Sequence, residues 1–463
     1  MNAPLPVFLT AYDPAELPGG TVDPLGFTAG YLVLADLLFP GMTAAAAQAT
    51  YLPMLCAGLA IADAEGGITG LSASAARKRR IEVGLRCERL WALASALQVP
   101  SAEAEAANAD EVGSKVSGLR GITYVAREAE RLARSGAKEA GSEFALLAQQ
   151  YRYGVFGIYG GVAEQLHLLE KSTFAPTSGF GAALGLGFLE TTTDGGQRKE
   201  LVRACLDKTA SVRVSTLKAW GSRAHPGAPL LGDARKFLAE AAVQSPARAR
   251  SLALVERVVP SWRAGGSSSL FDACVDRAEE ANDPALTAFL QAARAYDDFL
   301  REFTLIFERV LWLCRKMNDV EQFATVVGDP VVQSACADVR GRARALLGAA
   351  ERLFGLGKRE LLSRGRDILR VATQVGALSD VPAIVRLVLK RHAEIQRGKL
   401  ELGRPKQPWI EERGSELALT STRIGTRSGE PKSADGVRGP DWRFGAALSL
   451  LTVTGRVAPS EAT

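Results

Sequence analysis

The sequence predicts a mainly α, multi-helical protein. Apolar residues recur at spacings of three and four along most of the chain, which is the pattern of helices with one buried face. Many of these runs end at Gly or Pro, as helices do. The clearest run extends from Pro284 to Met317 and carries an apolar and aromatic stripe with helical spacing, so we expect one long helix that belongs to the core.

The composition of the chain excludes several classes of protein. The chain has 463 residues, of which 47% are hydrophobic and 23% charged, and this excludes a wholly disordered chain, a disulfide-rich mini-protein and a collagen-like fibre. Its length allows roughly two to four domains. The six cysteines lie far apart, with no pair at two-residue spacing and no adjacent histidine, which argues for reduced thiols and against a zinc site or a secreted fold.

The N-terminal part of the chain predicts an arm followed by a helical domain. Residues 1–26 are rich in Pro and Gly and predict an irregular N-terminal arm. Residues 27–110 predict the N-terminal helical domain, whose first helix, from Phe27 to Phe39, ends at a Pro-Gly pair. Thr43 is able to cap the second helix, and a third helix begins after Ser72.

One apolar run in this domain is long enough to test as a membrane span. Leu37 to Ala62 has no formal charge and exceeds the length of about 20 residues that a bilayer requires. Pro40, Gly41 and Pro53 interrupt the run, and its centre is rich in alanine, so we expect a buried helix and no membrane partner. The first residues lack the basic region of a secretory signal, which predicts a cytoplasmic protein.

Residues 111–195 predict a winged-helix-like unit, which overlaps the end of a small polar connector at residues 99–118. A helix ending in a leucine cluster, a short extended segment, a Pro-Thr turn and a further helix follow the order of a helix-turn-helix with a β-ribbon. The expected recognition stretch, Gly161 to Leu169, has no Arg or Lys, and this favours a winged helix that faces protein.

The remaining chain predicts two parts with different charge. Residues 196–402 predict a helical domain with the long helix near 284–317, and residues 403–463 predict a basic, partly flexible C-terminal segment. From Arg386 to Arg443, thirteen Lys and Arg oppose eight Asp and Glu, so this stretch carries the whole formal charge of +5. Such an asymmetry suggests contact with a polyanion, most simply nucleic acid. A solvated basic tail without a specific partner is the open alternative.

Two basic clusters supply the candidate nucleic-acid-binding residues. Lys and Arg bind phosphates, and an exposed Trp can stack on a base. The candidates are Lys390, Arg391, Arg397, Lys399, Arg404, Lys406 and Trp409 near the C-terminus, and Arg77, Lys78, Arg79 and Arg80 at the start of the third helix. Equally open is the interpretation that Trp409 packs the chain onto the helical body and that the basic side chains are only solvated.

Motifs that would identify a reaction are absent from the sequence. None of the three histidines belongs to an H-E-x-x-H motif, and there is no Walker A loop and no G-x-S-x-G elbow. The acidic candidates for a metal nuclease, Glu394 with Lys399 and the Glu411-Glu412 pair, are more typical of a solvated face. The glycine-rich stretch from Gly181 to Gly187 has no nearby lysine and predicts close helix packing. We therefore expect no catalytic residue, no metal and no cofactor.

Several fragments resemble a family of uncharacterised bacterial proteins that are often encoded in phage-defence or mobile-element neighbourhoods. The similar fragments are Leu34 to Thr43 with Tyr51, Tyr153 to Tyr159, Leu166 to Leu169, and Trp442 to Phe444. The resemblance thus covers mainly residues 27–190. It implies a bacterial defence context and work inside a complex, and it transfers no catalytic residue.

One departure from that family concerns the residues just before Tyr51. The family pattern has arginines there, whereas this chain has Ala47, Gln48, Ala49 and Thr50. If those arginines contact nucleic acid or a partner in the family, we do not expect that contact in this chain.

Three functional hypotheses remain. The first is a non-enzymatic subunit of a bacterial anti-phage defence or DNA-processing complex that binds DNA or RNA, partner subunits, or both. The second is a protein-only scaffold or sensor of the same system, and the third is an enzyme of unrecognised, nuclease-like type. A homo-oligomer is compatible with each of them.

Overall fold

The computed structural model describes residues 23–98, 119–265, 269–317, 319–358, 365–401, 404–420, 429–437, 439–440 and 442–458. These residues are mainly helical, which confirms the predicted class. Most of the predicted N-terminal arm and the predicted connector at 99–118 lie outside the described residues, as do residues 421–428 of the predicted C-terminal segment.

The elements of the first 265 residues are predominantly helices. In chain order they are α1 (Thr28–Leu38), α2 (Tyr51–Glu65), α3 (Ala73–Ala96), α4 (Ile122–Ser135), α5 (Gln150–Tyr153), α6 (Val155–Gln165), α7 (Gly181–Thr192), α8 (Gly195–Leu206), α9 (Val214–Ala224), α10 (Gly232–Ala242) and α11 (Pro246–Arg263). A 3-10 turn, Ala44–Ala46, precedes α2. Strands β1 (Glu139–Gly141) and β2 (Ser211–Arg213) pair antiparallel.

The rest of the chain adds further helices and two small antiparallel sheets. The helices are α12 (Leu270–Asp276), α13 (Pro284–Lys316), α14 (Phe323–Gly328), α15 (Pro330–Gly355), α16 (Arg366–Ala377), α17 (Val381–Arg397) and α18 (Phe444–Val453). The strands are β3 (Val320–Gln322), β4 (Leu400–Glu401), β5 (Arg404–Pro405), β6 (Ile410–Arg413) and β7 (Glu416–Leu419). Strand β7 lies between β3 and β6, and β4 pairs with β5.

The described residues form two compact units, and each unit consists of separate stretches of chain. The first unit contains the described residues between 39 and 265 and those between 443 and 458. The second contains those between 23 and 38 and those between 269 and 442. The predicted boundaries divide the chain into five consecutive segments, because sequence patterns reveal local elements and not the return of a distant segment.

Polar side chains at the N-termini explain where several helices begin. Asp283 and Asp329 each accept two backbone N–H groups from the first turn of α13 and α15, and each precedes a Pro at the first helical position. At the start of α8, Asp194 and Gln197 form a reciprocal capping box. Such caps are local in sequence, and for this reason the start of the long helix could be predicted at Pro284.

The first unit is built around α2, in which every residue from Tyr51 to Ala62 is buried. The part of the tested run from Tyr51 to Ala62 is therefore a buried helix, as predicted, whereas the part before it contains the end of α1 and the 3-10 turn. Among the described residues, no helix has both the length and the apolar character needed to cross a membrane. The Tyr51 ring stacks on Tyr159 at a centroid distance of 4.6 Å and meets Trp91 edge-on at 4.7 Å.

Glycines allow two helices to approach α2 at backbone distance. A Cβ atom on Gly185 of α7 would lie 2.7 Å from the Ala57 nitrogen, and one on Gly58 would lie 3.0 Å from the Gly84 Cα of α3. Further along α7, a Cβ on Gly187 would lie 3.0 Å from the Ala234 nitrogen. This confirms the prediction that the glycine-rich stretch serves close helix packing.

The C-terminal helix α18 completes the first unit. The Arg443 guanidinium donates to the Phe39 carbonyl oxygen at 3.1 Å, and the Phe444 ring meets the Phe39 ring edge-on at 5.0 Å. Near the other end of α18, the Leu230 N–H donates to the Val453 carbonyl oxygen at 3.1 Å. The core of this unit is therefore assembled from residues separated by about four hundred positions in the sequence.

The second unit is organised along α13, whose aromatic stripe is buried as predicted. Phe27 meets the Tyr296, Phe299 and Phe303 rings edge-on at centroid distances between 5.5 and 6.4 Å. Helix α15 packs along α13, and the three-stranded sheet packs near its C-terminal end.

Candidate nucleic-acid interface

The basic run at the start of α3 contacts α2, α5 and the loop between α6 and α7, a hairpin-like loop in which Leu169 and Pro176 form an antiparallel bridge. The Arg77 guanidinium donates to the Tyr151 hydroxyl at 3.1 Å and lies 4.7 Å from the centroid of the Phe174 ring. Arg80 forms an ion pair with Asp63 at 2.6 Å. Both arginines are therefore engaged within the unit.

The two residues in the middle of the same run, Lys78 and Arg79, differ: Arg79 binds backbone groups within the unit, and Lys78 is exposed. Arg79 donates to the Gly66 carbonyl oxygen at 3.3 Å and to the Leu206 carbonyl oxygen at 3.0 Å, which satisfies acceptors at the ends of α2 and α8. Lys78 is exposed. The structure thus leaves Lys78 as the accessible member of the predicted cluster at Arg77–Arg80.

Two of the predicted C-terminal residues bind the segment at residues 23–26. Arg391 is only 4% exposed, donates to the Leu25 carbonyl oxygen at 2.9 Å and forms an ion pair with Asp367. Lys399 donates to the Asp23 carbonyl oxygen at 2.6 Å, and burial lowers the pKa of its ammonium. These two cations stabilise the second unit, and the hydrogen bonds occupy the groups that phosphate would need.

Trp409 packs against α13 and α17. Its backbone N–H donates to the His392 Nε2 at 2.9 Å, so Nδ1 carries the proton and donates to the Pro24 carbonyl oxygen at 3.0 Å. Burial lowers the pKa of His392 to about 4, and the ring is neutral at physiological pH. The Trp409 ring lies 5.1 Å from the His392 ring and 5.9 Å from the Phe307 ring, so the geometry corresponds to the packing alternative.

Three of the predicted C-terminal residues remain exposed without an ion-pair partner among the described residues: Lys390, Arg397 and Arg404. We call these three the α17 strip. Lys390 and Arg397 are seven residues apart and therefore share one face of α17, and Arg404 follows in β5. Lys406 is partly exposed.

Neighbouring basic side chains are already paired with acids. Arg386 lies 3.0 Å from Glu412, and Arg413 lies 3.3 Å from Glu411. Lys390 also lines a groove between α16 and α17 together with Glu394 and Arg370, and the Arg370 guanidinium pairs with Asp367 at 2.9 Å. The positive charge that is available at this surface therefore belongs to the α17 strip.

A further set of exposed basic side chains lies on α4 and is absent from the predicted candidates. It consists of Arg127, Arg131 and Arg134, which follow one another at spacings of four and three. Because Glu128 and Glu130 interleave with these arginines in the sequence, the local charge is low and gave no reason to select them. The helical spacing was the information in the sequence that could have identified them.

Buried ionisable groups of the first unit have structural roles. Glu88 is 1% exposed, and its carboxylate accepts the Gln150 side-chain amide and the Val155 N–H, each at 2.8 Å. It thereby caps α6, while burial raises its pKa to about 7.

The six cysteines of the two units are all buried, and burial raises the pKa of Cys56 to about 12, which keeps that thiol protonated.

Within the part of the chain that the structure describes, no cluster of three or more His, Cys, Asp or Glu side chains has an arrangement that could hold a metal ion. Comparisons with protein families, with curated proteins and with solved structures give no match to this chain. A functional proposal therefore depends on the geometry and charge of the chain itself.

Proposed function

We propose that the protein is a non-enzymatic, cytoplasmic subunit of a bacterial defence or DNA-processing complex, and that it binds nucleic acid through the α17 strip. The observation that carries the nucleic-acid part is the exposure of Lys390, Arg397 and Arg404 without acidic partners, next to basic residues that are paired. An unpaired cation binds phosphate without first breaking an ion pair, and release of counterions then favours the complex. The defence context comes from the resemblance of residues 27–190.

The arrangement of the strip supports contact with the phosphate backbone. Lys390 and Arg397 are separated by about 10 Å along the axis of α17, and both side chains point to solvent. Phosphate contacts position a protein on nucleic acid but do not distinguish bases. We therefore expect binding that depends strongly on salt and only weakly on sequence.

We propose a separate role for the winged-helix-like unit, which is contact with partner subunits. Support comes from the order of α4, β1, α5, α6, a hairpin-like loop and α7. In the loop, Leu169 and Pro176 form an antiparallel bridge. Helix α6 contains no Arg or Lys, and its exposed positions include Gly157 and Gly161. It therefore has no basic face, which favours a protein partner over DNA. One difference from a simple winged helix is that β1 pairs with β2, beyond α8.

Neutralising the strip with Lys390→Gln, Arg397→Gln and Arg404→Gln should weaken binding to a labelled duplex at low salt. Each lost phosphate contact removes about 0.9 from the slope of log K against log salt, so we expect the slope to fall by about 3. Fluorescence anisotropy across a salt series measures this. Circular dichroism checks that the exposed substitutions leave the fold intact.

A matched control removes one lysine and two arginines that are exposed elsewhere, by Lys208→Gln, Arg344→Gln and Arg352→Gln. Retained binding by this control alongside loss in the strip variant would support the proposal. Equal losses of binding in both variants would show that binding depends on the overall charge of the protein and not on the α17 strip. A wild-type protein that binds no nucleic acid at low salt would instead favour the protein-only scaffold.

A further inference from the structure

Helix α4 has a buried apolar face and, opposite to it, a row of exposed side chains. Ile122, Val125, Ala126 and Leu132 are the buried residues. The exposed row consists of Tyr124, Arg127, Arg131 and Arg134. At 3.6 residues per turn these four positions fall within an arc of about 80°, centred opposite the buried face. We call this row the α4 stripe.

The side chains of the stripe extend into solvent. Tyr124 is 45% exposed, although an aromatic ring of this size is usually covered. The side chains of Arg131 and Arg134 are 60% and 79% exposed. Arg127 is exposed and has no ion-pair partner within the described ranges of the chain.

Acidic residues flank the stripe but do not lie within it. Glu128 pairs with Arg131 at 2.6 Å, and Glu130 approaches Arg134 at 3.8 Å. The Arg134 pair lies at the surface and contributes only about 0–1 kcal/mol, so a polyanion is able to displace Glu130. Arg131 keeps two hydrogen bonds to Glu128, at 2.6 and 2.8 Å, and still exposes 60% of its side chain to a polyanion. The stripe therefore presents three guanidinium groups and one aromatic ring in a single row.

We propose that the α4 stripe binds single-stranded nucleic acid. Guanidinium groups bind phosphates in a bidentate manner, and an exposed aromatic ring stacks on an unpaired base. In a duplex the bases are already stacked on one another, so Tyr124 gains this contact only with a single strand. Charge complementarity with the backbone and the half-exposed ring together favour this ligand over an acidic protein.

This inference rests on the proposed function, because both assume that the protein binds nucleic acid. It adds a second contact surface for that ligand. The two contacts belong to different units, since α4 lies in the first unit and the α17 strip in the second. Substitutions at one surface therefore leave the other unchanged, and the two proposals are tested independently with the same full-length protein.

The ring contact is tested with Tyr124→Ala and with Tyr124→Phe as the matched control. The probes are labelled oligo(dT) and a labelled duplex of the same length, in fluorescence anisotropy. Because stacking on one base is lost, Tyr124→Ala should weaken binding of oligo(dT) by about tenfold. Tyr124→Phe keeps the ring and should bind oligo(dT) as the wild type does, and neither change should affect binding of the duplex.

The charge contact is tested with Arg127→Gln, Arg131→Gln and Arg134→Gln combined. Glutamine preserves helix propensity, so α4 is expected to remain folded. For single strands, each phosphate contact contributes about 0.7 to the salt slope, and the triple variant should therefore lower the slope for oligo(dT) by about 2. The variant with a neutralised α17 strip is measured in parallel.

Specific outcomes would overturn the inference. Equal affinities of Tyr124→Ala and Tyr124→Phe for oligo(dT) would exclude stacking, and an unchanged salt slope in the arginine variant would exclude phosphate contact. A loss confined to the arginine variant, with the α17 strip variant unaffected, would support the stripe while the proposed site on α17 fails. A loss confined to the α17 strip variant would reverse that conclusion.

Discussion

Replacing Gly185 with alanine should lower the free energy of unfolding by about 3 kcal/mol. The added methyl group would lie 2.7 Å from the Ala57 nitrogen, and the opposing atoms belong to the backbone of α2, which does not move aside as a side chain would. Helices α2 and α7 must separate or tilt to accept it. Chemical denaturation followed by circular dichroism measures the effect.

Gly161→Ala is the matched control for this prediction. Gly161 also lies in a helix, α6, but a Cβ atom there has no neighbour within 4 Å. The substitution should therefore stabilise the protein by about 0.5–1 kcal/mol, because alanine loses less backbone entropy than glycine. If both variants changed the stability alike, the close approach of α7 to α2 would not be needed for folding.

The second large effect is expected at Glu88 and depends on pH. Burial raises the folded-state pKa from 4.5 to about 7, so the folded state retains this proton in a range where the unfolded state has lost it. The stabilising contribution is complete below pH 4.5 and is lost as the pH rises through 7. The Glu88→Gln variant cannot titrate at this position. Relative to that variant, the wild type should lose roughly 3 kcal/mol of stability between these limits.

The measurement is a series of denaturation curves at pH values from below 4.5 to above 7 for both proteins. Comparing wild type with Glu88→Gln cancels other buried groups, such as Glu302, whose pKa is also raised to about 7. It also cancels His392, whose lowered pKa acts in the opposite direction and removes stability as the pH falls. Glu240→Gln, at an exposed carboxyl group, is the matched control. A constant difference between wild type and Glu88→Gln would contradict the prediction.

The helices could be predicted from capping residues and periodicity close by in the sequence. Whether an individual basic residue is buried or exposed depends on segments that are distant in the sequence. The long helix at Pro284–Lys316 has its capping Asp283 and its first-turn proline directly at its start. Arg391 and Arg397, in contrast, occupy the same helix in a similar basic context, yet one is buried and the other exposed. The two positions lie about 120° apart around α17, and on the side of Arg391 the Leu25 carbonyl oxygen, 366 positions away in the sequence, accepts its hydrogen bond.

The same reason explains what the sequence could not reveal about the other candidates. The Arg77–Arg80 run has the composition of a nucleic-acid-binding patch, but Phe174 and Leu206 meet it from later parts of the chain. For Trp409, the partner that decides between packing and exposure is Phe307, which lies on a helix about a hundred residues earlier. Charge patterns thus identified a basic stretch in and after α17 but not which of its cations are exposed.

The return of α18 to the first unit has a consequence for synthesis of the protein. Residues 39–265 leave the ribosome before residues 269–442, but the Phe39–Phe444 contact becomes possible only after residues 269–442 have been translated. The first unit is thus completed last, and apolar surfaces that α18 covers stay open to water and to chaperones during that interval. Premature termination near residue 442 would consequently damage the first unit, because residues 443–458 belong to it although they lie far from residues 39–265 in sequence.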